Sequence, residues 1–282
     1  MLRLKHIAAA LTAVLTLSAA AAKNSRKMAN ASDKKDVTVE LTTSMGNIRL
    51  LLYGDTPKHL DNFVKLVNEG YYDGLLFHRV INDFMVQTGD PTSRNAPAGK
   101  MLGMGDPDYK IDAEFVYPKH FHKRGALAAA REGDSTNPAK QSSGSQFYIV
   151  TGKTYTGPQL DQMDARRIMQ QKQAIFNSLV QEHRDTIMSL RRERNQAALQ
   201  ELQDKLIAQT DSMAAQAPDT LTAAQREAYS TVGGTPHLDG SYTVFGEVIE
   251  GMDVVDRIQK TETDANDRPV SDVRIISAKV VR

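Results

Sequence analysis

The sequence predicts a mainly β domain, a small antiparallel barrel with two short helices, interrupted by an inserted α-helical segment. Three observations carry this. Short apolar runs rich in β-branched residues recur between Gly, Pro, Asn and Asp, from Val37 onward and again toward the C-terminus; strands of that kind, joined by tight turns, suit a barrel. Within those regions only GDTPKHLDNFVKLVNEG and GMDVVDRIQ read as helices. From about 157 to 233, by contrast, Gln, Ala, Arg, Glu, Leu and Met dominate and β-branched runs nearly vanish, which is the composition of good helix formers.

The chain opens with MLRLKHIAAALTAVLTLSAAAAK, where Arg3 and Lys5 precede an apolar run ending in small residues. That layout predicts a signal peptide over residues 1–22, and the polar residues 23–36 predict a flexible linker. VTVELTTS and IRLLLY, separated by Met45-Gly46-Asn47, predict a hairpin. A helix is expected next, with Thr56 as N-cap, Pro57 at its first position and Gly70 at its end. Its apolar face would be Leu60, Phe63, Val64 and Val67. The stretch FHRVINDFMVQTGD, residues 77–90, fits neither helical nor strand periodicity for long. GALAAAR and SQFYIV read as buried strands, SYTVFGEVI as another, GMDVVDRIQ as the second short helix and VRIISAKVV as the closing strand.

In the inserted segment, Ile168, Ile175 and Leu179 recur at helical spacing, as do Leu199, Leu202 and Leu206. Two long helices and a shorter third are expected, the third begun by a capping box of Thr222 and Gln225 after Pro218. Its mixed charges suit a solvated face, or a docking surface in which a helical hairpin offers an apolar groove to a protein partner. The expected domain organisation is therefore a barrel domain of 37–156 with 234–282, and a helical insertion of 157–233.

With 282 residues and a formal net charge of +1, the chain lacks the basic field of a nucleic-acid binder. It has no cysteine, so no disulfide or thiol chemistry is available. The alternative to cleavage is that the first apolar run is retained as a membrane anchor, but about 20 apolar residues are wanted for a span. No second long apolar run follows, so stable membrane insertion is not expected after cleavage of the signal, and an exported protein, periplasmic or secreted, is. His120 and His122 flank Phe121 without a third ligand, and no metal or other cofactor is expected. Ser142, Ser143 and Ser145 around Gly144 do not form a nucleophile elbow, and no phosphate-cradling glycine loop is present.

FHRV followed by FMVQTGD, then GALAAAR, GSQFYIV and HLDGSYTVFGEV, resembles the cyclophilin family of peptidyl-prolyl cis-trans isomerases. The resemblance runs from about Val37 to Thr151 and from about Gly234 to Arg282. It implies a cyclophilin-like, eight-stranded antiparallel β-barrel capped by two α-helices, with a binding groove on the outside of the barrel. It further implies Arg79 as the catalytic arginine and Phe84, Met85, Tyr148 and Leu238 as the proline pocket. Gln87 and Gln146 would orient the substrate backbone and hold the arginine, and Ala130 and Arg131 would line the groove for the residue before proline. His237 stands where the member best known as a drug target has Trp, and Tyr242 where it has His, so weak cyclosporin binding with retained activity is expected. Arg131 replaces an Asn common among relatives, either a cation that favours acidic residues near the substrate proline or a solvated Arg with no effect on preference.

These residue types suit the reaction. Rotation about a peptide C–N bond faces a barrier of about 18–20 kcal/mol, and only X-Pro bonds populate both isomers appreciably. In the twisted transition state the prolyl nitrogen gains a localised lone pair, to which a fixed guanidinium donates without any proton transfer. His78, next to the arginine, is therefore expected to be structural. The implied partners are unfolded or partly folded polypeptides containing proline, whose folding the enzyme would assist. The competing expectation is a proline-segment-binding chaperone, or an envelope scaffold, in which the insertion carries the main role.

Overall fold

Val37–Thr43 (β1) and Gly46–Leu52 (β2) form an antiparallel hairpin in which Thr43 faces Gly46. The structure is a computed structural model that describes residues 34–281; the expected signal peptide and residues 23–33 of the expected linker lie outside the described residues. The remaining strands are Arg79–Ile81 (β3), Met85–Thr88 (β4), Lys110–Ile111 (β5), Ala126–Ala129 (β6), Ser142–Ser143 (β7), Phe147–Val150 (β8), Val244–Glu250 (β9) and Ile275–Val281 (β10). Eight of them form one antiparallel sheet in the order β10-β1-β2-β9-β6-β8-β4-β3. The sheet curls until its ends meet, because the chain just before β3 bonds to the chain leading into β10: Phe77 N–H donates to Val273 O (2.9 Å), and Ile275 N–H to Leu75 O (2.8 Å). That closure removes the exposed edges an open sheet would offer. β5 and β7 form a separate two-stranded ribbon.

Two helices cap this barrel, Pro57–Asn68 (α1) and, near the C-terminus, Met252–Gln259. Leu60, Phe63 and Val67 of α1 are buried in the barrel core, as expected, but Leu66 takes the fourth place and Val64 is only half-buried. Thr56 also differs from expectation. Its hydroxyl donates back to Tyr53 O (3.0 Å), and the first free amides of the helix, on Lys58 and His59, go to the carboxylate of Glu114 at 3.1 and 3.0 Å. A negative group at a helix N-terminus satisfies both the orphan donors and the dipole, and here a residue distant in sequence supplies it.

The described chain divides into two compact units, one ending at Gly152 and resuming at Thr235, the other Lys153–Gly234. The second unit contains Gly157–Glu182 (α2), Arg184–Arg192 (α3), Gln196–Gln216 (α4) and Ala223–Thr231 (α5), followed in the chain by the capping helix Met252–Gln259 (α6). The expectation of two long helices and a shorter third therefore lacked α3. The break falls at His183, whose own N–H and ring Nδ1 both lie within hydrogen-bond distance of Leu179 O, at 3.0 and 2.9 Å. The chain reverses at Arg194, in the left-handed region at φ 56°, and Asn195 caps α4 by accepting from Ala198 N–H (3.1 Å). The capping box of Thr222 and Gln225 at the head of α5 is present. Among the described residues no helix is long and apolar enough to cross a membrane.

Candidate active site

Strand alternation separates two apolar clusters. Val80, Val86, Leu127, Phe147 and Ile149 point into the barrel core, while Met85, Ala126, Ala128, Tyr148 and Val150 point outward into a second cluster. Side chains on successive strand residues leave opposite faces, so a strand covered on both sides shows no polar face, which is why GALAAAR and SQFYIV read as continuous apolar runs. Residues 77–90 combine this alternation with a tight turn. Across β3 and β4, Arg79 pairs with Gln87, Val80 with Val86 and Ile81 with Met85. Between them Asp83 adopts φ 58°, and its N–H donates to Gln259 Oε1 on α6 (3.0 Å). The turn delivers Phe84 to the outer cluster.

The outer face carries a cavity of about 290 Å³. Arg79, Phe84, Met85, Gln87 and Tyr148 line it from β3, the turn, β4 and β8, while Ala130, Arg131, Leu238 and Tyr242 close it. Nine of the eleven residues singled out in the sequence thus meet at one cavity. The other two stand just behind it. His237 stacks on Phe84, with ring centroids 5.6 Å apart, and Gln146 holds Gln87.

The polar side of the cavity is a relay. Arg79 Nη1 donates to Gln87 Oε1 at 3.5 Å, and its Nε lies 3.7 Å from Asp267 Oδ2. Gln87 Nε2 donates to Gln146 Oε1 (3.0 Å), and Gln146 Nε2 donates to the carbonyls of Gly103 (3.0 Å) and Gly105 (2.6 Å). Asp90 fixes that loop from beneath. Its carboxylate accepts from Gly103 N–H, and from the N–H and hydroxyl of Thr92 at 2.7 Å each. Burial opposes the charge on Asp90, but these bonds win and its pKa lies below the ordinary value. Gly105 has to be glycine, since a Cβ there would sit 2.1 Å from Asp90 Oδ1.

Arg131 is not the free cation its sequence position suggested. Its side chain is 4% exposed and lies 4.4 Å over the Tyr242 ring. Nε donates to Ser241 O (2.8 Å), Nη1 donates to Glu132 O (2.9 Å), and Nη1 lies 2.7 Å from Asp134 Oδ1. A planar cation so occupied acts as a rigid wall rather than a charge held out to a ligand.

Beneath Tyr148 lies a group that sequence inspection missed. The Tyr148 hydroxyl lies 3.0 Å from His122 Nε2, and His122 Nδ1 lies 3.0 Å from Asp239 Oδ1, with both the His122 and Asp239 side chains fully buried. Tyr148 is itself buried, and desolvation pushes its pKa well above the ordinary value, so it stays a neutral donor. Asp239 is separated from His122 by more than a hundred residues of chain, so no local motif could have paired them. His120, which had been weighed with His122 as a metal pair, instead stacks on Tyr53 and lies 2.8 Å from Asp55. Lys100, Met104, Asn266 and Arg268 also reach the cavity, delivered by loops whose course the sequence did not disclose.

His78 lines the cavity although it is 3% exposed, and neither ring nitrogen has a hydrogen-bond partner. Burial lowers its pKa to about 4, so the ring is neutral at physiological pH.

Comparison with known proteins agrees with this fold. The family model described as cyclophilin type peptidyl-prolyl cis-trans isomerase matches residues 38–212 and 210–280. A Staphylococcus epidermidis protein named for peptidyl-prolyl cis-trans isomerase activity is 31% identical over 247 residues, spanning 87% of this chain and 92% of its own length. A Staphylococcus haemolyticus relative of the same description is 30% identical over 247 residues, 87% of this chain and 91% of its own. Among solved structures, a cyclophilin-type isomerase from Cryptosporidium parvum superposes with a TM-score of 0.50 at 19% identity, covering 88% of this chain and 99% of that one, a likeness of fold.

Proposed function

The chain belongs to the cyclophilin-type peptidyl-prolyl cis-trans isomerase family and is an enzyme of that class, and from this premise we propose that Arg79 is its catalytic residue, acting on X-Pro bonds of exported client proteins. The observation that carries this reading is the guanidinium of Arg79 at the rim of an apolar cavity built from Phe84, Met85, Tyr148 and Leu238. The proline ring enters the cavity and is held there while the acyl side turns. Arg79 then donates to the prolyl nitrogen as its lone pair localises.

One hydrogen bond to a charged group contributes about 1.5–3 kcal/mol, or roughly ten- to a hundredfold in rate. An acceleration of about 10⁵ needs near 7 kcal/mol, so the cavity has to supply the rest by fixing the ring and excluding water from the guanidinium. Gln87 and Gln146 keep the cation and the neighbouring loop in place, while Ala130, Arg131 and Tyr242 shape the wall on the side of the residue before proline. No step transfers a proton, so His78 takes no part in the chemistry and no cofactor is called for.

The clients are unfolded or partly folded polypeptides outside the cytoplasm, in the periplasm or medium, whose proline-limited folding the enzyme accelerates. Support for this location is the apolar, small-residue-terminated run at the N-terminus, preceded by Arg3 and Lys5. The test has two arms. Turnover of proline tetrapeptides by the full chain, lost in Arg79→Ala, supports the assignment of the residue, and unchanged turnover in that variant overturns it. Fractionation of cells producing the protein should find it outside the cytoplasm; recovery in the cytosol overturns the export reading.

A further inference from the structure

The unit Lys153–Gly234 holds a second cavity, of about 870 Å³, between α2, α3 and α4. Three features define what it can take. Its floor is apolar: Phe176 and Val180 of α2 face Ile187 of α3 and Leu199 and Leu202 of α4, and these side chains are only half-buried, with Leu206 buried at the base. Met188, at the edge, is 49% exposed. A helical hairpin that seals its own seam buries such residues, so this seam is open along part of its length.

The rim is cationic. Arg184 and Arg191 line the cavity, no Asp or Glu does, and neither arginine has an ion-pair partner among the described residues. Two other arginines of the same unit do pair, Arg167 with Asp219 and Arg226 with Asp161 and Asp164.

Amides fill the rest of the rim. Gln181, Gln196 and Gln203 each carry both a donor and an acceptor at the opening, while Gln200 donates from Nε2 to Asp204 Oδ1 (2.9 Å) and keeps its carbonyl as an acceptor. A polypeptide backbone offers one N–H and one C=O per residue and needs partners of both kinds, whereas an acyl chain needs neither.

We propose that this groove binds an extended polypeptide segment with apolar side chains flanked by Asp or Glu. Apolar side chains would enter the floor, the flanking carboxylates would pair with Arg184 and Arg191, and the glutamines would satisfy the main chain. The inference rests on the reading that the enzyme's clients are incompletely folded polypeptides, and it gives the inserted unit a substrate-gathering role separate from the prolyl cavity. Proline is not required at this second site.

The test uses the full chain and a fluorescein-labelled, proline-free peptide of about nine residues, with Leu at every second position, so that its apolar side chains share one face of an extended chain, and Asp at both ends. A second peptide carries Lys in place of Asp. The Asp peptide should bind at least tenfold more tightly than the Lys peptide, and weaken with added salt. In Arg184→Glu/Arg191→Glu the preference should reverse, and Met188→Ser, which removes apolar surface without adding charge, should weaken binding of both peptides without touching either arginine. Equal binding of the two peptides, or binding unchanged in the double variant, overturns the proposal. Displacement of the Asp peptide by palmitate at stoichiometric concentration also overturns it, in favour of a lipid site. Tetrapeptide turnover measured on the same samples keeps the two ideas apart: absent turnover in the unaltered chain defeats the isomerase reading, whereas normal turnover with no peptide preference defeats only the groove.

Discussion

Arg79 and Gln87 face each other across the β3–β4 pair, and Nη1 of the arginine lies 3.5 Å from Oε1 of the glutamine. That distance is at the long limit of a hydrogen bond, so Gln87 steers the guanidinium without saturating it. Donor capacity remains for a substrate nitrogen, and the Arg79 side chain stays 43% exposed.

Replacing Arg79 by Ala should lower kcat/KM for proline tetrapeptides by about ten- to a hundredfold, the value of one charged hydrogen bond, with most of the loss in kcat. Arg79→Lys should recover only part, because an ammonium lacks the planar fork that Gln87 orients. A loss confined to KM would show that the arginine only binds.

Gln146→Ala should release both Gln87 and the loop at Gly103 and Gly105, leaving a glutamine amide and two carbonyls without their partner. Stability is expected to fall by about 1–3 kcal/mol, and KM should rise more than kcat falls, because the loop that borders the cavity loses its tether. Denaturant titration and steady-state kinetics read the two effects separately.

The buried set Asp239, His122 and Tyr148 is expected to matter for stability and hardly for catalysis. Tyr148→Phe keeps the ring that walls the cavity but strands His122 Nε2, at a cost of about 1–3 kcal/mol. The melting temperature should drop by several degrees while tetrapeptide turnover stays within about twofold, since the hydroxyl never faces the substrate. A catalytic loss with unchanged melting temperature would reverse that assignment.

His78 should give the protein a pH-dependent stability. Its pKa is lowered from 6.5 to about 4 in the folded state, so between those values the unfolded chain binds a proton that the folded chain refuses. Stability is therefore lost as pH falls from 6.5 toward 4, by up to about 3 kcal/mol, and changes no further on this account below 4. His78→Gln should flatten the curve in that window, which urea titrations across the range would reveal. An unchanged slope would place the titrating group elsewhere.

Because the Arg131 guanidinium is already shared among Ser241, Glu132, Asp134 and the face of Tyr242, it should not select acidic residues before proline. Tetrapeptides with Glu or Lys at that position should be turned over within about threefold of each other. Arg131→Ala should reduce turnover of both alike by removing the packing under Tyr242.

The sequence was enough for six of the strands, β1, β2, β6, β8, β9 and β10, for the two capping helices, the helical character of 157–233 and nine of the residues that line the cavity at Arg79. Each of these depends on short-range physics or on ordered motifs. Apolar runs and turn residues mark those strands, and good helix formers mark the inserted segment, whereas residues 77–90, which follow no single period, did not announce β3 and β4. The break of the inserted helices at His183 was not legible, since it turns on a side chain sharing one carbonyl with the backbone. Nor was the cap of α1, where Glu114 does from a distance what Thr56 was expected to do locally.

What tertiary structure alone decided are the contacts between residues far apart in the chain. It set Asp239 under His122 and Tyr148, enclosed Arg131 among its neighbours, and lined an open groove between α2, α3 and α4 with two arginines that have no ion-pair partner among the described residues. Residue type and spacing determine which side chains a strand or helix presents; only the closing of the barrel and the folding of the helices determine what those side chains meet, and hence whether a charge is spent or left available.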